Sequence, residues 1–573
     1  MNYNVLIGGA AGQGVETLSS VFEKVLQRNG FKVFSIKDYM SRIRGGHNFV
    51  QIRFGDQGFF SHVDELDGII ALNKETVDLH IGRLKADGFV ICDKQVAHTD
   101  GRVVALPLME VARRIGNVRV SGSVALGAAL ALLGIHAAEV EAIYSKIFRP
   151  DIAKQNAEAV LEGSKLVKPR YSQSLPMDNL LSFQNSPSLP EVGQSILING
   201  NQAIALGALA AGCKFYSAYP MTPSTSIMNY LASKMPDAEI VVEQAEDEIA
   251  AINMAIGASY AGVRAMTGTS GGGFSLMVEG LGLAGMLEVP LVIAEVQRPG
   301  PVTGFPTRTE QGDLKFLISA SQGEFPRMVI APRNAEDAFY QTVRAFNLAD
   351  KYQIPVILLS DQFLADSTVT IKPFDFDGIR HERYIANAVE DKPYKRYKIT
   401  PTGVSPRVIP GKIPGVTVLV DSDEHDEYGH ITESAEVRKQ MVSKRLKKLE
   451  YLKQELQEPW FFGQDDFDVL ILAWGSTWGP LAEAVSMLNN EQRIKYAALA
   501  FGDVWPLPTR LLVEKAKKAK RIINVEQNAT GQLASLVTQE TGIFCDFSVL
   551  KYDGRPMSPR YIFEKVREKE KSL

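Results

Sequence analysis

Hydrophobic positions along this chain come in short runs, separated by stretches whose apolar residues recur at helical spacing. In the first third, Tyr3–Ile7, Val33–Ile36, Gly68–Leu72, Gly88–Cys92 and Val103–Leu106 predict strands, and Thr17–Asn29 and Gly122–Leu133 predict helices. That alternation is the signature of an α/β domain with a largely parallel sheet. Residues 167–192 then turn polar and carry Pro169, Pro176, Pro187 and Pro190, the composition of a linker. A second α/β unit opens at Ser195–Asn199. Its strands are predicted over Ile240–Glu243, Arg264–Thr267, Leu291–Glu295, Arg327–Ala331 and Val356–Leu359. A loop-rich connection ends in a charged helix over Ser434–Leu456, and Asp468–Ala473 begins a third α/β unit. The expected organisation is three α/β domains, 1–175, 194–375 and 461–573, joined by a linker at 176–193 and a connecting segment at 376–460.

Length and charge narrow the classes. At 573 residues the chain exceeds what one hydrophobic core organises. A net charge of −4, with only KPYKRYK interleaving basic and aromatic residues, excludes a protein that coats nucleic acid. The basic run Arg438–Lys453, flanked by Glu433, Glu436 and Glu455, reads as a solvated helix. Cys92, Cys213 and Cys545 form no CxxC, so they build neither a disulfide framework nor an iron–sulfur site. A reduced, cytoplasmic compartment is expected. No apolar stretch reaches the ~18 residues of a membrane span.

The segment Val241–Gly262 carries the first candidate chemistry. After Glu248 nearly every residue is small or apolar, which predicts a helix buried on all sides. Acids in its first turn meet the positive end of the helix dipole and its unpaired amides. Glu246 and Asp247 fit that stabilising role. Glu248 heads the pattern Glu-x-x-Ala-x-x-x-Ala-x-Gly, filled by Ala251, Ala255 and Gly257. On this pattern alone, a helix-stabilising acid and a chemically active one are both open.

The pattern resembles the pyrimidine-side helix of thiamine-diphosphate enzymes. There the glutamate hydrogen-bonds an aminopyrimidine nitrogen and promotes loss of the thiazolium proton, work suited to an acid whose pKa burial has raised. Upstream, Ala218-Tyr-Pro-Met-Thr-Pro-Ser-Thr225 is similar to the YPITP signature of 2-oxoacid:ferredoxin oxidoreductases, with Met221 in place of Ile. The resemblance implies that Tyr219 and Pro220 border the cofactor and that Thr222 faces the 2-oxoacid. Four further segments match in the same order. Thr267–Met277 resembles the family's glycine loop, implying cofactor contact by Ser270, Gly271 and Gly272. Gly304–Leu314 resembles the loop of the substrate arginine, which falls on Arg308. Thr400–Arg407 and Ser422–Gly429 resemble later segments, for which structural roles are expected.

The first third resembles the family's gamma subunit, fused ahead of an alpha subunit, on Gly8–Gly14 and Ser41–Arg53. Its GGAAGQG is not the GxGxxG of a dinucleotide site, which argues against a nicotinamide enzyme. It fits the family's GxGGQG with Ala11 at the third position, and implies coenzyme A access at Gly9, Gly12 and Gly14. The last third, with Gly475-Ser-Thr and Val525–Leu533, resembles a transketolase C-terminal domain, a packing module.

Neither a GDG…Asn pyrophosphate motif nor a ferredoxin-type cysteine run is found in the sequence. The resemblance assigns both the Mg2+ site and a 4Fe–4S cluster to a separate beta subunit, in a dimer of alpha–beta heterodimers that reduces ferredoxin. It implies oxidative decarboxylation of a 2-oxoacid with coenzyme A, or the reverse, with 2-oxoglutarate or a broad substrate range favoured over strict pyruvate use. A scaffold that kept the fold and lost the chemistry is the alternative; the presence of Glu248, Thr222 and Arg308 together opposes it.

Overall fold

The computed structural model describes residues 2–41, 45–96, 98–137, 139–168, 195–390, 392–491 and 494–571. The expected linker at 176–193 lies outside these residues. The chain forms two compact units, 1–198 with 367–374, and 199–366 with 375–573.

The first unit is built on an eight-stranded sheet in the order Val103–Leu106, Leu84–Asp93, Leu66–Ala71, Asn2–Ala11, Gly45–Gly55, Lys32–Asp38, Thr368–Ile371 and Ile196–Asn199. The strands from Asn2–Ala11 to Val103–Leu106 are parallel, as expected. The other half departs from that expectation, because Lys32–Asp38, Gly45–Gly55 and Asn2–Ala11 pair antiparallel. So short a link between the first two holds no crossover helix, and a parallel pair needs one. Residues 367–374, at the expected end of the second domain, return to this sheet beside Lys32–Asp38. Over it, helices Ser121–Leu133 and Pro150–Ser164 pack backbone to backbone. A Cβ at Gly127 would overlap the Val160 carbonyl, and one at Gly163 that of Val124.

The second unit holds two sheets. Seven strands run in the order Asp503–Trp505, Met328–Ile330, Pro355–Asp361, Leu291–Gln297, Ala265–Thr269, Phe215–Ala218 and Val241–Gln244. All are parallel except the first. Five more form the order Trp460–Gly463, Tyr496–Phe501, Val469–Trp474, Arg521–Glu526 and Phe547–Leu550. The strand Asp503–Trp505, from the C-terminal segment, closes the seven-stranded sheet and ties the two regions into one unit.

The charged helix occupies Ala435–Leu452 and is not simply solvated. Lys444, Arg445 and Lys448 are buried. Lys444 Nζ lies 2.5 Å from Glu288 Oε1, and Lys448 pairs with the other oxygen. Burial alone would push the Glu288 carboxyl up, but Lys444, Lys448 and Arg396 hold it below the ordinary carboxylate range. The acidic segment Ser422–Gly429 serves the same assembly: Glu424 accepts hydrogen bonds from Arg445 at 2.9 and 3.0 Å, and buried His425 stacks on Tyr397. Sequence spacing hid this because the partner acid lies 156 residues upstream of Lys444.

Glu288→Ala would strand two buried ammonium groups without their counter-charge. We expect a loss of about 3–5 kcal/mol in chemical denaturation, and a shift below about 1 kcal/mol would mean the cluster contributes little.

Candidate functional site

The helix Glu248–Tyr260 starts where the strand Val241–Gln244 ends, with Asp247 as its N-cap, the Asp247 carboxylate accepting the Ala250 amide at 2.7 Å. Asp247 therefore does the capping expected of the acidic trio, which frees the next side chain from it. Glu248 is only 4% exposed. Burial raises its pKa above the ordinary value; an amide contact within Glu248 pulls it back and the neighbouring Asp247 charge adds to the rise.

What faces this carboxyl is an absence of side chains. The expected glycine loop is instead the first turn of a helix, Gly271–Met286, directly after the strand Ala265–Thr269. A Cβ on Gly273 would overlap Glu248 Oε1 and Thr269 Oγ1 and lie 2.9 Å from Glu248 Cδ. Gly273, absent from the sequence-based set, is thus the residue that makes room for the acid. Its only signal was being third in a run of three. On the other side of the turn, Met221 Cε comes within 3.5 Å of a Cβ position on Gly272. Thr269 Oγ1 lies 3.6 Å from Met221 Sδ. Ser270 Oγ is buried and finds no hydrogen-bond partner among the described residues.

The Tyr219–Thr222 turn is fixed from two directions. Arg298 donates to the Thr222 carbonyl at 2.7 Å, and Asn201 to the Pro223 carbonyl at 2.8 Å. Tyr219 itself is exposed. The structure thereby brings Glu248, Met221, Gly272 and Gly273 together.

Arg308 is not among the atoms nearest Gly271, Gly272 or Gly273. It is half-buried, with its Cβ 3.2 Å from a Cβ position on Gly554, and it donates to the Thr307 carbonyl at 3.2 Å. The arginine loop is clamped at both ends. Gly304 turns it at φ 50°, where any side chain would overlap the Pro299 carbonyl. Gln311 anchors its other end. The Gln311 amide donates to the Gln527 carbonyl at 2.7 Å, and its side chain donates to Trp474 O at 3.2 Å and accepts from Thr477 Oγ1 at 2.8 Å. Asn528 donates to the Gln311 carbonyl at 3.1 Å. The segments Gly475-Ser-Thr and Val525–Leu533, expected only to pack, therefore hold the arginine loop.

The expected burial of the Glu248 helix on all sides is not what this chain provides. Ile249, Asn253, Met254 and Gly257 are exposed, and so is Leu276 on the adjoining glycine helix. The helix is apolar all round because one of its faces is left open within this chain.

In the first unit, Gly12 and Gly14 adopt φ of 92° and 81°, with nothing within 4 Å of either Cβ position. Both line two cavities of about 950 and 420 Å³. Gly9 sits behind them, its Cβ position 2.9 Å from Gln13 Oε1 and 3.0 Å from Leu72 Cβ. The larger cavity also takes in Asn117, Arg119, Ser121 and Ser123 around the start of the helix Ser121–Leu133, polar groups that carried no motif.

Residues 206–444 match the family described as pyruvate flavodoxin/ferredoxin oxidoreductase, thiamine diP-bdg, and residues 4–166 match pyruvate ferredoxin/flavodoxin oxidoreductase. The 2-oxoacid:ferredoxin oxidoreductase subunit alpha of Saccharolobus solfataricus is 33% identical over 99% of this chain and 98% of its own. A 2-oxoglutarate synthase subunit of Methanothermobacter marburgensis is 34% identical over 65% of this chain and 98% of its own. Among solved structures, the 2-oxoglutarate:ferredoxin oxidoreductase from Magnetococcus marinus, with 2-oxoglutarate, coenzyme A and succinyl-CoA bound, is similar with a TM-score of 0.89. It is 31% identical and covers 99% of both chains. Helix, turns and glycines thus sit within a likeness that spans the whole chain, which belongs to the 2-oxoacid:ferredoxin oxidoreductase family as an alpha subunit.

Proposed function

We propose that this chain supplies the aminopyrimidine side of a thiamine-diphosphate site at which a 2-oxoacid is oxidatively decarboxylated with coenzyme A, giving acyl-CoA, CO2 and reduced ferredoxin, or the reverse. The observation that carries this reading is the Glu248 carboxyl, buried with a raised pKa against a helix turn that Gly273 keeps clear. The residues fit the cofactor. A protonatable acid, a side-chain-free face at Gly272 and Gly273, and the orphaned Ser270 hydroxyl suit a flat, nitrogen-rich ring better than they suit any contact inside the chain.

When bound, the cofactor supplies the carbanion chemistry and holds the electrons left by decarboxylation. This chain's residues bind, orient and move a proton. Glu248 shares its proton with a ring nitrogen. Tyr219, Pro220, Ser270, Gly271 and Gly272 border the ring, and Met221 keeps water from that edge. The Thr222 hydroxyl and the Arg308 guanidinium take the substrate carboxylate, a planar two-point match for arginine. Gly12 and Gly14 offer open backbone for a coenzyme A phosphate, with Gly9 supporting the loop.

The open apolar face at Ile249, Met254 and Leu276 is the seat for the beta subunit, which would carry the Mg2+ site for the pyrophosphate and a 4Fe–4S cluster for electron transfer to ferredoxin. Two alpha–beta heterodimers make the complete enzyme. We assign 2-oxoglutarate, or a broad 2-oxoacid range, as substrate; the similarity to the Magnetococcus marinus enzyme supports this choice.

In the complex with its partner, Glu248→Gln should lower kcat about 100-fold or more, the loss of a general acid–base group, while subunit assembly is kept. Near-normal turnover would refute the role. Gly273→Ala should push the acid out of place and abolish thiamine-dependent activity without unfolding the chain; retained activity would show that the cleared space is incidental. Arg308→Ala should raise KM for 2-oxoacids about tenfold or more through loss of a charge-assisted contact, and an unchanged KM for every 2-oxoacid tested would count against the assignment.

A further inference from the structure

We propose that Glu295 and Asp313 form a proton-sharing carboxyl pair that ties the end of the arginine loop to the strand Leu291–Gln297 and so acts as a positioning device for Arg308. The inference rests on the functional reading above for what Arg308 binds, and on the fold alone for the pair itself.

Glu295 is fully buried near the end of the strand Leu291–Gln297, directly beside Thr269 in the parallel register. Asp313 closes the arginine loop. It stands at the N-cap of the helix Leu314–Ser319 but makes no side-chain cap bond there. Its amide donates to Gln297 Oε1 at 3.0 Å, and its carboxyl is turned instead toward the glycine helix. A Cβ on Gly271 would overlap Asp313 Oδ2 and lie 2.9 Å from Cγ. Asp313 thus meets the first residue of that helix, whose dipole favours one negative charge there.

Neither oxygen of Glu295, nor Asp313 Oδ2, receives a hydrogen bond from any donor among the described residues. Two acceptor-only groups buried side by side are satisfied by a proton held between them. Asp361, on the neighbouring strand, differs. It accepts from Ser476 Oγ at 2.5 Å, from Gln311 Nε2 at 3.3 Å and from the Leu364 amide at 2.9 Å, so it has donors of its own. The charges that bear on the pair are acidic: Asp361 beside Glu295, and Glu310 beside Asp313. Burial first, then Asp313 and Asp361, hold the Glu295 carboxyl well above its ordinary value. Burial lifts Asp313 to about 6 and Glu310 to about 7.

The sign follows directly. Raised carboxyl pKa values mean the pair holds a proton to higher pH than carboxyls in water would. The singly protonated form is the one that ties the loop. As pH climbs past the higher value, two anions face each other, the tie opens and Arg308 loses its station. KM for the 2-oxoacid should therefore be flat near neutrality and rise on the alkaline side, with kcat changing less.

The test uses the complex with its partner subunit and steady-state reduction of a dye by 2-oxoglutarate across pH. Glu295→Gln, whose amide donates permanently to Asp313, should keep KM at neutral pH and remove the alkaline rise. Glu295→Leu should raise KM about tenfold already at neutral pH, the loss expected for a hydrogen bond to a charged group, with kcat held within about twofold. An alkaline rise that survives Glu295→Gln, or a normal KM in Glu295→Leu, would overturn the proposal. Should Glu295→Leu fail to fold, the pH profile of Glu295→Gln decides. Infrared difference spectra separate this idea from the functional reading. At neutral pH the wild-type chain should show a protonated-carboxyl band that Glu295→Gln removes, whether or not the complex turns over. Absence of such a band would overturn proton sharing, whereas a band without any 2-oxoacid-dependent reduction would leave the pair standing and count against the function.

Discussion

Everything at the centre of this molecule depends on keeping one carboxyl group dry. Removing a carboxylate from water is costly unless it is neutralised or paired, and among the described residues the charge that bears on Glu248 is the acidic Asp247. Its solution is geometric. Asp247 takes over the capping of the helix, the helix start offers amides, and the first turn of the following helix carries hydrogen where any other residue would carry carbon. An acid in that setting is easier to protonate than one in water, which is the property a proton-sharing contact with a ring nitrogen requires.

A second constraint joins distant parts of the sequence. The arginine loop has no regular structure between Gly304 and Asp313, yet its backbone is held in place. The C-terminal region does this through Gln311, which is fully buried and bonded on its amide, carbonyl and side chain. A loop with unsatisfied backbone would sit on the surface. Here the strand ends around Trp474 and Gln527 provide the missing partners. The C-terminal region therefore holds a loop of the candidate site in place.

The sequence disclosed a good deal of this, and its failures have physical causes. Five strands of the seven-stranded sheet were placed within a residue or two, and those buried on both faces, such as Leu291–Gln297 and Pro355–Asp361, read as continuous apolar runs. The strand Gly45–Gly55 escaped because its polar residues, such as Gln51 and Arg53, are buried and donate to the loop carbonyls of Val63 and Ser61. Three-residue strands such as Asp503–Trp505 are too short for any periodicity. Motif resemblance pointed to Glu248, Gly271 and Gly272, whereas the contacts of Gly273 and Gln311 depend on which distant segments meet in the fold. The buried lysines of Ala435–Leu452 were misread for the same reason. Local composition reports charge, but it does not report the acid waiting on another element.

The strand Thr368–Ile371 carries a consequence for how such an enzyme could be taken apart. It leaves the second unit for eight residues, completes the first unit's sheet and then returns. Removing the segment that holds Thr368–Ile371 would deprive Lys32–Asp38 of its neighbour and bare a row of hydrogen-bonding groups prone to self-association. A gene fission that separated these regions would have to replace that lost edge by other means, so the fusion is interlaced and not merely end to end.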